Sequence, residues 1–573
     1  MKRSEAPSGT RTLARLDPGL AALLALLLLW GGFLIFRTSF VAEDGKRYFC
    51  LFDDAMISMT YARNLVEGHG LNWARHGDPV EGFTHPLWLL PMIAANLLPV
   101  ELRLRSLPVQ LLSLVVLALL VVAVRRLMLS WFSGEHARYW GQWMPAAVMT
   151  AFCYSLAFWS LIGMETGLQA LVAVVAVHLA IASVEGRRER HLELWAVCAA
   201  AWLVRMDMLL LIVAVQVWVV ARGGLRREPR RWLLGLGLFL AVVLGYELFR
   251  WVYFHDLLPN TYYLKMTGVP RAVRLLRGLL SFELFVRGHL PLLLAAGIGT
   301  IPLLRRDRRL ELPAAIFLLY CAYSVWVGGD AWDLDVEVPV RANRFISFVL
   351  PLLFVLLNGV LNRVLDARKS AGELPGKWAA GAAAALGLVL VNGLWPGGTD
   401  TAWRLMMGTQ RPPQTESHLT VLRQLHRMQK VVRPGATVAT AWAGIPAYFS
   451  DYKLVDILGF NDRHVARAPS RLPGDEDHPR LYRPGHDRWD FGYLFGKARP
   501  DAFFQVWGPR LEGIRVGEMM RGAGYVRRGV MWLKRVSFHV PRLPPVERPA
   551  GEAARPRRPR NRPAAPATGT SPP

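Results

Sequence analysis

Long runs of apolar residues, separated by short basic loops, constrain this chain more than any other feature of its sequence. Runs such as 20–36, 107–124, 168–182 and 379–394 approach the roughly 20 residues that a helix needs to cross a bilayer. The composition agrees, because 53% of residues are hydrophobic and only 19% are charged, against roughly 25% in soluble domains. These runs predict a polytopic α-helical membrane protein and exclude a secreted soluble enzyme as the main interpretation.

The formal net charge of +25 comes from 68 Lys and Arg residues against 43 Asp and Glu residues. A charge of this size can indicate a nucleic-acid partner. Here, however, the basic residues lie in short loops between apolar segments, as the positive-inside rule expects. We therefore expect contacts with membrane lipids and no nucleic acid. The four cysteines have neither a disulfide pattern nor metal-ligand spacing.

Apolar stretches recur along the first 396 residues after the opening run. They lie at 86–100, 106–124, 143–161, 165–184, 194–204, 208–221, 232–254, 289–304, 311–328, 346–364 and 378–395. Placing every basic cluster in the cytoplasm requires residues 86–124 to make one net crossing, so 86–100 is predicted to be a re-entrant or interfacial helix. The prediction is about eleven transmembrane helices in the cytoplasmic (inner) membrane.

Four regions follow from this topology. Residues 1–19 form a cytoplasmic N-terminus, and residues 20–396 form the transmembrane domain with a first outer loop at 37–85. After residue 396, short apolar stretches alternate with helix-like segments, which predicts an extracytoplasmic α/β domain at 397–545. Residues 546–573 are rich in Pro, Ala and Arg and are predicted to be a disordered basic tail.

The loops assigned to the outer face contain unusual polar residues, whereas the inner loops are merely basic. These polar residues are Asp53, Asp54, Glu81, Glu165, Arg205, Asp207, Asn260, Lys265, Asp330 and Arg344. The orientation was assigned without using them. We therefore expect the chemistry of this protein at the outer leaflet.

Two adjacent carboxylates, Asp53 and Asp54, follow the first apolar run and precede a helix-like segment. Burial and mutual repulsion would raise the pKa of one of them towards the working range of a general base. In the alternative interpretation, one carboxylate caps the helix that begins near Ala55. A divalent cation on the pair is left open by the sequence, so no metal ligand and no cofactor is assigned.

The residues around this carboxylate pair resemble those of a known family. The segments 53–71 and 80–88 (Asp-Asp-Ala-Met-Ile-Ser and Val-Glu-Gly-Phe-Thr-His-Pro-Leu-Trp at their starts) resemble the first outer loop of the GT-C glycosyltransferase superfamily. They are most similar to the branch of the actinobacterial terminal β-arabinofuranosyltransferases and the ZomB-like flagellar motor control proteins. Further matching segments are 163–168, 203–207, 258–265, 328–330, 344–345, 441–450 and 455–462. The sequence departs from that pattern at Met56, His85-Pro86 and Met206.

This resemblance implies an inverting glycosyltransferase that takes a sugar, arabinofuranose in the named relatives, from a polyprenyl-phosphate donor to an envelope glycan or lipid acceptor. Nucleotide sugars do not reach the outer face, so a lipid-linked donor also fits the predicted topology. We expect Asp53 to be the general base, Asp54 to support it, and Lys265 with Arg344 to bind the phosphate. The remaining predicted substrate-binding residues are Arg63, Glu81, Glu165, Arg205, Asp207, Asn260, Tyr262 and Asp330.

Simpler interpretations remain open for several of these residues. Arg205 and Arg344 would serve equally as snorkelling residues at helix ends, and Asp207 would then pair with Arg205. Glu165 would be a helix-dipole partner. His69, His76 and His85 are interpreted as loop histidines, because their spacing does not match a compact helical metal pair. At the level of the whole protein, the alternative function is a non-catalytic membrane partner of another assembly, such as the flagellar motor. A transporter fits less well, because the polar residues cluster at one membrane boundary.

Overall fold

The computed structural model describes residues 17–131, 142–186, 190–334, 343–370, 377–395, 400–471, 482–507 and 516–541. The described chain is mostly helical. Up to residue 395 its helices are α1 (Pro18–Thr38), α2 (Asp53–Val66), α3 (Pro86–Leu97), α4 (Ser106–Trp131), α5 (Met144–Ala151), α6 (Tyr154–Leu161), α7 (Thr166–Glu185), α8 (His191–Val204), α9 (Leu209–Ala221), α10 (Gly224–Arg227), α11 (Pro229–Phe254), α12 (Asn260–Met266), α13 (Arg271–Leu304), α14 (Glu311–Trp326), α15 (Arg344–Ser347), α16 (Leu350–Ser370) and α17 (Lys377–Val391).

The part of the chain after residue 400 contains shorter helices and most of the strands. Its helices are α18 (Thr401–Met406), α19 (Pro413–Gln429), α20 (Ile445–Tyr448), α21 (Arg463–Ala466), α22 (Phe491–Tyr493) and α23 (Val516–Gly522). The strands of the described chain are β1 (Phe40–Val41), β2 (Arg47–Tyr48), β3 (Thr437–Thr440), β4 (Lys453–Asp456), β5 (Ala502–Phe503), β6 (Tyr525–Arg528) and β7 (Met531–Lys534).

Five helices of the described chain are long and apolar enough to cross a membrane: α1, α4, α7, α11 and α13. A sixth span is available if α5 and α6, which meet at a bend of 46°, cross together. Shorter apolar helices lie within α3, α8, α9, α16 and α17. The multi-span architecture is therefore present, whereas the count of about eleven crossings stays a prediction.

Helix α13 begins much earlier than the apolar stretch at 289–304 predicted. Its first half contains Arg274 and Arg277, whose charges hid the helix from a search for apolar runs. Both side chains are buried; Arg274 donates to the carbonyl oxygen of Trp326 at the end of α14, and Arg277 donates to that of Gly328. Because the tertiary fold satisfies these guanidinium groups, the helix extends over residues 271–288, which lie between the predicted apolar stretches 232–254 and 289–304.

The region after residue 400 is built on a mixed five-stranded sheet with the order β4-β3-β5-β7-β6. Strand β3 pairs parallel to β4 and β5, while β7 pairs antiparallel to β5 and β6. Buried aromatic and aliphatic side chains, among them Ile457, Phe503 and Trp532, pack on this sheet. The boundaries at 397–545 and the side of the membrane stay predictions, and the tail at 546–573 lies outside the described residues.

Helix α2 joins the apolar helices to this sheet region. It packs against α3 on one side and against α20 on the other. Arg63, in its last turn, donates to the carbonyl oxygens of Tyr448 and Ser450, and the Tyr448 hydroxyl donates to Asn96 of α3. The paired carboxylates at the start of α2 are thereby held at the junction between the two parts of the chain.

Candidate functional site

Two cavities adjoin at the start of α2. The larger has a volume of about 540 Å³ and extends among α2, α8, α9, α12, α14 and α15. The smaller has a volume of about 160 Å³ and lies between the start of α2 and the sheet region. Asp54 lines both cavities, whereas Asp53 lines the smaller one. The carboxylate pair therefore stands on the boundary between two separate binding spaces.

Asp53 binds the start of a distant helix and does not cap its own. Its carboxylate accepts hydrogen bonds from the backbone N–H groups of Gly444, at 3.2 Å, and Ile445, at 2.9 Å, at the N-terminus of α20. The residue that precedes α2 is Phe52, and no side chain caps that helix. The capping interpretation is therefore wrong for Asp53.

The surroundings of Asp53 also change its acidity. Burial raises its pKa to about 7, and the neighbouring charge of Asp54 adds to the rise although the two backbone N–H groups oppose it. A pKa raised in this way lets the carboxylate take up and release a proton near neutral pH. This is the range in which a general base is most effective.

Asp54 takes part in an ion-paired chain with Arg344 and Asp330. The Arg344 Nη1 atom lies 3.1 Å from Asp54 Oδ2, and its Nε atom lies 3.0 Å from Asp330 Oδ2. Burial raises the pKa of Asp54, but the nearby Arg344 and Lys265 more than offset it, so that the pKa lies below its ordinary value. Only 7% of the Arg344 side chain is exposed. This buried guanidinium group is not a snorkelling one.

Lys265, on α12, is the cation of the larger cavity that no carboxylate neutralises directly. Within the described part of the chain, no carboxylate oxygen lies within 4 Å of its Nζ atom, which instead lies 5.4 Å from the centre of the Phe460 ring. Burial, together with the positive charge of Arg344, lowers its pKa to about 8. An anionic ligand in this cavity would find a desolvated ammonium group with free hydrogen-bond donors.

A second ion-paired group also lines the larger cavity. Arg205 Nη1 lies 2.8 Å from Glu165 Oε1, and Arg205 Nη2 lies 2.8 Å from Asp207 Oδ2. Glu165 precedes α7 but makes no capping hydrogen bond there. The structure thus confirms the pairing of Asp207 with Arg205 and makes Glu165 a partner of Arg205, because the guanidinium group bridges both carboxylates.

His85 is a site residue that the sequence analysis treated as a loop histidine. Its ring is buried and lines the larger cavity. The Ser58 hydroxyl lies 2.8 Å from its Nε2 atom, and Glu165 Oε2 lies 3.5 Å from its Nδ1 atom. The available signal was its position in the segment 80–88, where the sequence departs from the family pattern at His85-Pro86.

The larger cavity brings together most of the predicted site. The predicted residues that line it are Asp54, Glu165, Arg205, Asp207, Tyr262, Lys265 and Arg344. Asp330 lies behind Arg344 as its buried counter-ion and does not line the cavity.

Three predicted binding residues, Arg63, Glu81 and Asn260, make structural contacts and line neither cavity. Arg63 ties α2 to the segment after α20, as described above. Glu81 forms a buried ion pair with Arg250, with 2.6 Å between Oε2 and Nε. Asn260 donates to the carbonyl oxygens of Gly459 and Phe460. Their polar groups join distant segments, and substrate contacts for these three stay a prediction.

The lining of the smaller cavity was missed almost entirely. Trp332, Trp442, Trp507, Gln414, Arg483 and His486 all line it. These side chains come from separate segments that meet only after folding. Trp442 alone lay within a segment, 441–450, that supported the family resemblance.

The described residues contain no group of three or more His, Cys, Asp or Glu side chains placed to hold a metal ion. The carboxylate of Asp53 accepts two backbone N–H groups, and that of Asp54 faces a guanidinium group. Their existing partners are therefore hydrogen-bond donors, which compete with a cation for the same oxygen lone pairs.

The comparisons with known proteins cover two different extents of the chain. Residues 411–514 match a family described as a domain of unknown function, DUF8728. No curated protein matches the chain.

Two crystal structures of ArnT from Cupriavidus metallidurans resemble the whole fold distantly. The apo structure is 15% identical with a TM-score of 0.47, and the alignment covers 84% of this chain and 92% of that one. The structure bound to undecaprenyl phosphate is 14% identical with a TM-score of 0.48, and the alignment covers 85% and 93%.

Proposed function

We propose that this protein is a GT-C type glycosyltransferase that moves a sugar from a polyprenyl-phosphate donor to a hydroxyl group of an acceptor. The observation that carries the proposal is the position of Asp53 and Asp54 between two cavities of different character. A transferase needs a donor and an acceptor on opposite sides of one catalytic group, and this geometry provides such an arrangement.

The larger cavity suits the donor. Its charged residues include Lys265, Arg344 and Arg205, which match a phosphate by type, while Leu210, Trp326 and other apolar side chains line the rest. Residues of the apolar helices α8 and α9 line part of it, so a prenyl chain can stay in the hydrocarbon region while its head group enters. Of the three cations, Lys265 is the one whose charge is least neutralised by nearby carboxylates, and we assign it the main contact with the phosphate.

The proposed reaction is a single displacement. Asp53 accepts the proton of the acceptor hydroxyl, the oxygen forms a bond to the anomeric carbon of the sugar, and the bond from that carbon to the phosphate oxygen breaks. The polyprenyl phosphate leaves with the electron pair, and Lys265 and Arg344 stabilise its charge. Asp54 holds Arg344 beside the leaving group. One displacement inverts the configuration of the sugar.

Three finer points rest on the family resemblance. Arabinofuranose as the sugar, an envelope glycan or lipid as the acceptor, and an extracytoplasmic site in the cytoplasmic membrane all follow from the related sequences and the charge of the loops. The sheet region at 400–541 would then also lie outside the cell membrane. Cysteine labelling at an exposed position such as Asp451 from intact cells tests this orientation.

A deletion strain provides the decisive test of the proposed function. Mass spectrometry of its envelope glycans should reveal the loss of one sugar type, which wild-type protein restores and the Asp53→Asn variant does not. Asp451→Asn, a change in an exposed carboxylate, is the matched control and should restore it. If Asp53→Asn restores the glycan fully while deletions within 411–514 do not, the chain acts as a non-catalytic partner.

A further inference from the structure

The smaller cavity has its own chemistry, distinct from that of the larger one. Its walls come from the start of α2, from α19, and from segments near residues 441–443 and 483–486. Most of this lining belongs to the region after residue 400. Apart from Asp54, the charged residues assigned to the donor phosphate and their counter-ions do not line it.

Aromatic rings surround one end of the smaller cavity. The His486 ring has its centre 5.8 Å from that of Trp332, 5.5 Å from that of Phe460 and 5.7 Å from that of Trp507. The Arg483 guanidinium group lies 4.3 Å from the centre of the Trp332 ring. Flat apolar faces of this kind suit a ligand with one apolar face.

Neutral polar groups supply the remaining lining. Gln414 is 6% exposed, and its Nε2 atom has no hydrogen-bond partner among the described residues. Burial lowers the pKa of His418 to about 4, and burial together with Arg483 lowers the pKa of His486 to about 3. Both rings are therefore neutral at pH 7; His418 has one donor and one acceptor, whereas the Nδ1–H group of His486 donates to the Pro484 carbonyl oxygen and leaves Nε2 as an acceptor. A buried amide donor without a partner indicates that a ligand atom completes it.

We infer that the smaller cavity binds a carbohydrate unit of the acceptor. Aromatic faces would stack on the C–H face of the sugar ring, and Gln414 with the two neutral histidines would bind its hydroxyl groups. Calling this sugar the acceptor rests on the proposed function; the binding of a sugar here does not.

Other ligands fit this cavity less well. An anionic group would face Asp53 and Asp54 at the cavity boundary, with Arg483 as the one cation of the described lining. An alkyl chain would leave the Gln414 amide buried without a partner, which is costly. A sugar satisfies the amide and adds no charge.

Saturation-transfer NMR on the full chain in detergent tests the inference directly. The probes are a panel of methyl pentofuranosides and hexopyranosides, with farnesyl phosphate as a separate ligand for the larger cavity. The test variants are Gln414→Leu, which keeps the side-chain volume, and Trp442→Ala. Trp251→Ala is the matched control, because Trp251 is 59% exposed on α11 and lines neither cavity.

At least one glycoside should give saturation transfer, and its affinity should fall by about fivefold or more in both test variants, since one lost hydrogen bond or ring contact is worth about 1 kcal/mol. Trp251→Ala should bind it normally, and all three variants should keep the wild-type affinity for farnesyl phosphate and the wild-type melting temperature. Absence of glycoside binding, or binding that survives both substitutions, would overturn the inference.

The farnesyl phosphate measurement keeps the two proposals separate. If this ligand does not bind, or if its binding survives Lys265→Met, the proposed function fails while the glycoside result stands. If farnesyl phosphate binds as expected and no glycoside does, the inference fails alone.

Discussion

The two cavities that meet at the start of α2 differ in how they hold charge. In the larger cavity, Arg205 and Arg344 are each held between carboxylates, and Lys265 is left with none within ion-pairing distance among the described residues. The smaller cavity is lined mainly by rings and neutral polar groups. The larger cavity therefore suits an anionic ligand, and the smaller cavity suits a neutral polar ligand.

This difference between the cavities accounts for the different pKa values of the adjacent carboxylates Asp53 and Asp54. Asp54 faces the cations of the larger cavity, which lower its pKa against the effect of burial. Asp53 lines only the smaller cavity, and burial there raises its pKa to about 7. Neighbours in sequence therefore suit different tasks, proton transfer for Asp53 and charge pairing for Asp54.

The most direct test of the different roles of Asp53 and Asp54 is to replace each carboxylate in turn. Asp53→Asn should lower the turnover rate by about 10²- to 10⁴-fold, the contribution of a general base, with little change in donor affinity. Asp54→Asn should weaken donor binding as well, because it releases Arg344. Initial rates in lipid nanodiscs give kcat and KM for both variants. Equal effects of the two changes would contradict the division of roles.

Removal of the least compensated cation tests the larger cavity by itself. Lys265→Met should weaken the binding of farnesyl phosphate by about 10- to 100-fold, since a charge-assisted hydrogen bond is worth about 1.5–3 kcal/mol. Lys265→Arg keeps the charge and should retain most of the affinity. Calorimetric titration provides the measurement, and unchanged affinity in Lys265→Met would remove the residue from the phosphate site.

A methyl group at Gly444 tests the link between Asp53 and α20. In Gly444→Ala the new Cβ atom would lie 2.6 Å from Asp53 Oδ1 and 2.8 Å from the Met56 Cβ atom, so the two segments must separate. We expect a loss of about 1–3 kcal/mol in the free energy of unfolding together with slower transfer. Gly237→Ala is the control, because its Cβ atom meets nothing within 4 Å. Thermal unfolding that is identical in the two variants would contradict the prediction.

The pH dependence of kcat/KM should reflect both cavities. Activity should rise with pH as Asp53 loses its proton near pH 7 and should fall as Lys265 loses its proton near pH 8. In Lys265→Arg the alkaline limb should move out of the measurable range while the acidic limb stays. A profile without an acidic limb near pH 7 would argue against Asp53 as the base.

The sequence predicted the larger cavity far better than the smaller one. The residues of the larger cavity are charged, and charged residues at the ends of apolar runs are conspicuous whatever the fold around them. Trp332, Gln414 and His486 carry no such signal, because Trp is common in this chain and neutral polar residues are frequent in every loop. Their joint position depends on how the sheet region packs against α2.

Several polar residues have partners that the sequence did not indicate, and the physical reason is the same for all of them. Arg63, Glu81 and Asn260 have the polarity of binding residues, yet their hydrogen bonds join segments that are distant in the sequence. The charges of Arg274 and Arg277 interrupt the apolar pattern, so the sequence did not predict the first half of α13. Backbone carbonyl groups of other segments accept hydrogen bonds from both side chains. Which partner a polar group finds is a property of the tertiary fold.

The two backbone N–H groups at the start of α20 donate hydrogen bonds to Asp53 and so join the sheet region to the apolar helices. Cutting the chain before residue 400 would free this carboxylate to turn and to regain water, and its basicity would drop towards that of an ordinary aspartate. The membrane portion expressed alone would therefore retain a pocket for an anionic lipid but lack a correctly aligned proton acceptor. Homologous chains in which either half is exchanged should need compensating changes on the opposite side of this contact.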